Sequence, residues 1–130
     1  MSHLTKLDLK LDSLSAVKKA LEEMGYQVRQ EDQRHTVDSK WGWNMDVDIS
    51  ANKDGVQMPV GFRLNEETGE IETQADWYDM DINQSEFEQK INQLHSKHKT
   101  IDTVKKKGYK VANATADENG KIKMKATRWV

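Results

Sequence analysis

The chain has 130 residues, of which 32% are charged and 35% hydrophobic, and its formal net charge is −2. This length and composition predict one globular domain over residues 1–130 rather than a disordered or multidomain chain. The absence of cysteine excludes disulfides and thiolate metal sites, and no apolar run approaches the roughly 18 residues of a membrane span. Because the N-terminus mixes charges with single leucines, we expect no secretory signal and a cytoplasmic location.

Charge is distributed unevenly along the chain. Residues 44–82 carry ten acidic and two basic residues, whereas residues 89–130 carry eleven basic and three acidic residues. Two interpretations stay open: each block covers the solvent-facing side of its own elements, or the blocks form an acidic and a basic surface for different partners. Opposite blocks also suit a homo-oligomer assembled head to tail. The acidic block argues against a general nucleic-acid-binding protein.

The first elements predict a β-α-β unit. Leucines alternate with charged residues over positions 7–11, as in a half-buried strand. After Asp12 or Ser13 as the N-cap, apolar residues recur every three or four positions over residues 14–24, which is typical of a helix. Gly25 follows where a helix favours glycine, and the next strand begins there.

Residues 35–78 predict an antiparallel meander. Apolar and polar residues alternate over positions 45–50 and again over positions 56–64. Asp54-Gly55 lies between these runs and is a strong signal for a hairpin turn. A second turn leads into a further strand over residues 71–77, so the meander has one apolar and one acidic face.

A second helix and a final hairpin complete the chain. Asn83 and Glu86 fit a capping box, and apolar residues at helical spacing follow until Gly108. We therefore predict an α+β fold with a single antiparallel sheet of five to seven strands and two helices packed on one face. The predicted core comprises Leu7, Leu9, Leu14, Val17, Leu21, Val47, Ile49, Val60, Phe62, Ile91, Leu94 and Ile122.

Few residues have the spacing of a metal or catalytic site. His95, His98 and Asp102 lie on adjoining faces of the second predicted helix, where zinc would need a further ligand. His98 falls in the apolar stripe, so we expect it to be a core histidine satisfied by hydrogen bonds. The chain has no Walker loop, dinucleotide fingerprint or nucleophile elbow. We therefore predict no catalytic residue, no metal and no cofactor, and a metal-dependent hydrolase is the least favoured hypothesis.

The tryptophans are the most informative aromatic residues. Trp41 and Trp43 lie on one side of an extended segment, and Gly42 between them lets another backbone or a ligand approach. Trp77 and Trp129 lie at the ends of predicted strands. Burial in the core is the default for such large rings. Exposed indoles would instead form a stacking platform or an interface hot spot.

Several short segments resemble a known family. They are Met1-Ser2-His3-Leu4, Ala20-Leu21, Gly25-Tyr26-Gln27-Val28, the stretch from Thr100 through Lys107-Gly108-Tyr109-Lys110-Val111, Gly120-Lys121-Ile122 and Arg128-Trp129. Together they are similar to the hypothetical chloroplast reading frame thirty-five family, a domain of unknown function in cyanobacteria, algal plastids and other bacteria. The resemblance implies no established activity and no catalytic residues. It implies an adaptor role, because the family's genes are similar in setting to those for AAA-type ATPases and small ferredoxin-like proteins.

We predict a non-enzymatic interaction or adaptor module with a protein partner, for which the resemblance implies an AAA-type ATPase. The alternative is a small-ligand or nucleotide-binding protein, in which an indole stacks on a base and lysines meet phosphate. The candidate surface for a partner or ligand comprises Trp41, Trp43, Trp77, Lys105, Lys106, Lys107, Arg128 and Trp129. No membrane partner is expected, and the location is the cytoplasm, or the plastid stroma for a plastid-encoded protein.

Overall fold

The computed structural model describes residues 10–39, 42, 44–80, 82–117 and 121–128. Its elements are α1 (Leu14–Glu23), β1 (Gln27–Asp38), β2 (Asn44–Lys53), β3 (Val56–Leu64), β4 (Ile71–Ala75), α2 (Trp77–Met80), α3 (Gln84–Lys106), β5 (Tyr109–Ala116) and β6 (Ile122–Arg128). The strands form two antiparallel sheets, one in the order β1-β2-β3-β4 and one that pairs β5 with β6.

Helix α1 forms where the sequence predicts it. The Ser13 hydroxyl caps its first turn by accepting a hydrogen bond from the Ala16 N–H at 3.1 Å. Gly25 follows the helix with a φ of 96°, a conformation that residues with a Cβ rarely adopt. Val17 and Leu21 on the apolar stripe are fully buried. This stripe packs α1 on α3 and on the first two strands.

The four-stranded sheet is the predicted meander. Asp54 and Gly55 both have positive φ angles, 52° and 78°, and form the tight turn between β2 and β3. In the register of the sheet, Phe62 of β3 lies between Ile49 of β2 and Thr73 of β4. Ile49 and Phe62 are fully buried. One face of this sheet therefore supplies one side of the main core.

Helix α3 supplies much of the other side. The Asn83 side chain accepts a hydrogen bond from the Glu86 N–H at 3.0 Å, as the predicted cap requires. The main core cluster comprises Leu11, Val17, Ala20, Leu21, Ile49, Ala51, Val60, Phe62, Ile71, Met80, Phe87, Ile91 and Leu94.

No helix in the described ranges is long and apolar enough to cross a membrane.

Most of the predicted core is confirmed. The predicted residues that are buried are Val17, Leu21, Val47, Ile49, Val60, Phe62, Ile91 and Leu94. Leu14 and Ile122 are half-buried, and Leu7 and Leu9 lie outside the described residues. Val47 belongs to a second small cluster with Val37 and Met45 rather than to the main core.

The prediction of a single sheet of five to seven strands is wrong, because the last two strands form a sheet of their own. α3 has 23 residues, which corresponds to a length of about 35 Å. The chain turns at Gly108, and β5 runs back along the helix until the Gln93 side chain donates a hydrogen bond to the Ala116 carbonyl at 2.9 Å. The β5–β6 hairpin thus buries its apolar side on α3 instead of extending the meander.

The strand predicted over residues 7–11 is tested only at its end. Leu11 forms an isolated bridge with Ile71, Lys10 belongs to no strand, and residues 7–9 lie outside the described ranges. At the other end of the meander, β4 stops at Ala75, and Trp77 begins the single turn of α2 rather than ending a strand. The strand ends there because Asp76 takes part in both elements. Its N–H donates to the Pro59 carbonyl of β3, and the Asp76 carbonyl accepts the first hydrogen bond of α2.

Candidate functional site

The β5–β6 hairpin presents a side made of lysines and small polar residues to solvent. Residues directly opposite each other in an antiparallel pair share a face of the sheet. The outer face consists of three exposed opposing pairs, Lys110 with Thr127, Asn113 with Lys125, and Thr115 with Lys123. No carboxylate lies on this face among the described residues. The half-buried side chains between them point toward α3, so the fold places the lysines outward.

The positive charge continues at the C-terminal end of α3. Lys105, Lys106 and Lys107 are exposed there, and no carboxylate in the described part of the chain forms an ion pair with them. Arg128, opposite Tyr109, is exposed at the same end of the hairpin. The dipole of α3 itself favours cations at this position. We call Lys105, Lys106, Lys107, Lys110, Lys123, Lys125 and Arg128 the basic surface.

The surface predicted from the sequence covers only part of the basic surface. The prediction includes the three lysines that end α3 and Arg128, but not Lys110, Lys123 and Lys125. The available signal was the alternation of lysine with apolar residues over positions 121–125. A period of two places such lysines on one face of a strand.

Part of the acidic block is engaged inside the four-stranded sheet. Asp48 accepts a hydrogen bond from the Leu64 N–H at 2.8 Å and lies 3.3 Å from the Arg34 guanidinium. Asp46 accepts a hydrogen bond from the Thr36 hydroxyl at 2.9 Å. These carboxylates fix the pairing of β1, β2 and β3, so they serve the fold.

Other acidic residues border an open groove beside the turn between β3 and β4. The groove has a volume of about 440 Å³ and is lined by Glu66, Glu67 and Glu72 together with Arg34 and Arg63. Its lining therefore mixes both signs of charge. The basic surface has a more uniform sign than any part of the acidic block that we describe.

The structure separates Trp77 from the lysines of the candidate surface. The Trp77 ring packs edge-to-face on Phe87 at 5.6 Å between centroids, near the start of α3. Lys105 lies eighteen residues after Phe87 on the same helix, which corresponds to a distance of about 27 Å along the helix axis. Trp77 and Lys105 thus cannot contact one nucleotide. Trp41, Trp43 and Trp129 lie outside the described residues.

His95 is the buried histidine of α3, contrary to the prediction for His98. The His95 side chain is 2% exposed, and its Nε2 accepts hydrogen bonds from the backbone N–H groups of Asp12 at 3.2 Å and Ser13 at 3.1 Å. Burial lowers the pKa of His95, although the Asp12 carboxylate opposes this effect. The two accepted hydrogen bonds and the lowered pKa both favour the neutral imidazole of His95.

His98 and Asp102 have partners on α1. His98 Nε2 lies 2.9 Å from the Glu23 carboxylate, which also pairs with Lys97, while Asp102 pairs with Lys19 at 3.1 Å. Burial raises the pKa of Glu23, but its hydrogen bonds with Lys97 and His98 outweigh burial and lower this pKa overall. The described residues contain no group of three histidine, aspartate or glutamate side chains placed to hold a metal ion. These contacts tie α1 to α3.

One histidine-serine contact was not predicted from the sequence. His35 Nε2 lies 2.7 Å from the Ser50 hydroxyl, and both residues are buried. Burial, and then the nearby Arg29 charge, lower the pKa of His35. No hydrogen-bond partner in the described residues orients His35 Nδ1, and Ser50 has no exposed surface. A substrate cannot reach this serine, so the pair does not form a nucleophilic site in this conformation.

Comparisons with known proteins agree with the resemblance stated from the sequence. An uncharacterized protein ycf35 from Pyropia yezoensis is 26% identical over 131 residues, which cover 99% of this chain and 98% of the relative. No solved structure matches the chain. The model of a family described as a protein of unknown function (DUF1257) matches residues 20–125, a range that includes the four-stranded sheet, α3, β5 and the first part of β6. The chain therefore belongs to the DUF1257 family.

Proposed function

We propose that the protein is a non-enzymatic interaction module whose basic surface binds an acidic surface of a protein partner. The observation that carries this proposal is the outer face of the β5–β6 hairpin, on which Lys123 and Lys125 are exposed and no described carboxylate lies. Like charges held on one face repel each other. Carboxylates supplied by a partner would offset this repulsion, so the surface is suited to an acidic protein.

The composition around the hairpin supports the same choice of partner. Residues 105–130 contain eight basic and two acidic residues. Exposed charges of this kind accelerate association with an oppositely charged partner, and salt weakens the attraction. The complex should therefore form at low ionic strength and dissociate as salt is added. We propose an AAA-type ATPase, which the family resemblance implies, as the first partner to test, in the cytoplasm or the plastid stroma.

Two other functions receive less support from the described residues. A nucleotide-binding function would use an indole and the α3 lysines together, but Trp77 of α2 packs on Phe87 near the start of α3, whereas Lys105 lies near the end of α3. A metal-dependent hydrolase would use His95 and His98, but these side chains contact different segments of the chain. For these reasons we propose the interaction module.

The test is affinity capture from the native host at low salt with charge-reversed variants. The Lys123→Glu/Lys125→Glu double variant reverses two charges of the outer face. We expect it to bind the captured partner about tenfold more weakly than the unmodified protein, because several surface attractions become repulsions. Lys18→Glu/Lys90→Glu is the matched control, since both lysines are exposed on helices outside the basic surface. It should retain the partner.

The same experiment can contradict the proposal. Equal losses in both double variants would show that net charge, rather than the hairpin, governs the interaction. Capture that disappears after nuclease treatment would assign the basic surface to nucleic acid. Mass spectrometry of the captured material identifies the partner in each case, and purified partner then gives the dissociation constants for the two double variants.

A further inference from the structure

The segment that precedes α1 is held by one buried imidazole. His95 Nε2 accepts hydrogen bonds from two consecutive backbone N–H groups, those of Asp12 and Ser13. A nitrogen that accepts two N–H groups carries no proton, so the imidazole proton is on Nδ1. The hydrogen bond from the Ser13 N–H also fixes the position of Ser13, which is the N-cap of α1.

The held segment connects α3 to the edge of the four-stranded sheet. We call residues 10–13 the strap. Leu11 is buried, and its carbonyl accepts a hydrogen bond from the Ile71 N–H of β4 at 2.7 Å. Lys10 forms an ion pair with Glu70 at 3.0 Å. The strap therefore lies between β4 on one side and the His95 ring on the other.

We propose that His95 is an acid-operated switch that holds the strap when neutral and releases its backbone when protonated. A proton on Nε2 turns the acceptor into a donor, which then faces two N–H groups. The charged groups that face the ring are Asp12, with a carboxylate oxygen 3.6 Å from Nε2, and Lys99, which pairs with the same carboxylate. Protonated His95 donates to Asp12, and the two backbone N–H groups lose their acceptor.

The direction of the switch follows from the surroundings of the ring. Burial lowers the pKa of His95, Asp12 raises it and Lys99 lowers it again, with a net decrease. The strap is therefore held at neutral pH, and it is released below the usual histidine pKa of about 6.5. This switch uses no residue of the basic surface, so its test is independent of the test of the proposed partner.

The test is solution NMR of the full chain between pH 7.5 and pH 5. At pH 7.5 we expect the Nδ1–H tautomer of His95, read from the imidazole nitrogen shifts. As His95 takes up a proton, we expect the Asp12 and Ser13 amides to shift and their protection from hydrogen exchange to fall about tenfold, after correction for the pH dependence of exchange itself. The Ile71 amide reports whether release reaches β4.

Two variants separate the switch from general acid sensitivity. His95→Gln offers a side-chain oxygen that accepts the same hydrogen bonds but does not titrate, so protection of Asp12 and Ser13 should become independent of pH. His98→Gln removes a neighbouring titratable group that does not contact the strap and should leave the titration intact. An Nε2–H tautomer at pH 7.5, or unchanged strap amides after His95 is protonated, would overturn the proposal even if the variants fail to fold.

Discussion

Gly61 is the residue at which the smallest change has the clearest structural consequence. It lies on β3, and a Cβ built there would be 2.3 Å from Val47 Cγ1 and 2.9 Å from Val47 Cβ. Val47 is fully buried and belongs to the small cluster with Val37 and Met45. It cannot move aside without disturbing that cluster, because protein interiors are close-packed.

We predict that Gly61→Ala lowers the free energy of unfolding by about 1–3 kcal/mol, the usual cost of overpacking a core. Urea denaturation followed by circular dichroism measures this change. Gly61→Ala/Val47→Ala is the informative partner variant, since removal of the Val47 methyl groups makes room for the new Cβ. If the double variant is as unstable as the sum of the two single variants, steric overlap is not the cause.

At the level of single residues, the sequence identified His95 and His98 as residues to consider but could not show which side chain faces the core. His95 and His98 both follow Ile91 at helical spacing, four and seven positions later. Only the packing of α1 decides which one faces inward, and α1 lies more than 70 positions away in the chain. The contact of His35 with Ser50 is equally invisible, because it depends on a register shift between Gln30 and His35.

At the scale of elements, α3 depends on a cap that the sequence identified correctly. The Asn83 side chain accepts the Glu86 N–H, one of the donors that the first helical turn leaves without a backbone partner. We predict that Asn83→Ala lowers the free energy of unfolding by about 1 kcal/mol. Asn83→Ser should be nearly neutral, since a serine hydroxyl accepts the same hydrogen bond. Thermal denaturation of both variants checks this, and equal destabilisation by Ala and Ser would contradict it.

Local signals identified most elements but could not show which strands pair. Gly25 and Gly108 mark the ends of α1 and α3, and Asp54-Gly55 marks a hairpin turn, because each position has a backbone conformation that few residues adopt. The alternation of apolar and polar residues in β5 and β6 is typical of any strand with one buried face. It does not distinguish a sheet strand from a hairpin that packs on a helix, and this is why the single-sheet prediction failed.

For the whole molecule, the two buried histidines make stability depend on pH. Burial lowers the pKa of both His35 and His95 in the folded chain. In the unfolded chain they take up protons near their usual pKa of about 6.5. Below that pH the unfolded state binds more protons than the folded state, so stability is greatest above pH 6.5 and decreases as the pH falls.

We predict that the free energy of unfolding declines between pH 7 and pH 5, by at most about 2.7 kcal/mol per pH unit if both histidines contribute fully. Urea denaturation at several pH values measures the decline, with an unchanged dependence on urea concentration as the sign of a two-state transition. A His35→Gln/His95→Gln variant should show a flatter profile. Stability that increases toward pH 5 in the unmodified chain would contradict the argument.

The separate sheet of β5 and β6 has a consequence for how this family can diversify. Its strands pack chiefly on α3, and none of their described residues belongs to the main core cluster. Substitutions at Lys110, Lys123 or Lys125 therefore leave the interior of the protein unchanged. Under the proposed function, changes confined to this hairpin alter the choice of partner, while selection for a stable fold acts on a different set of positions.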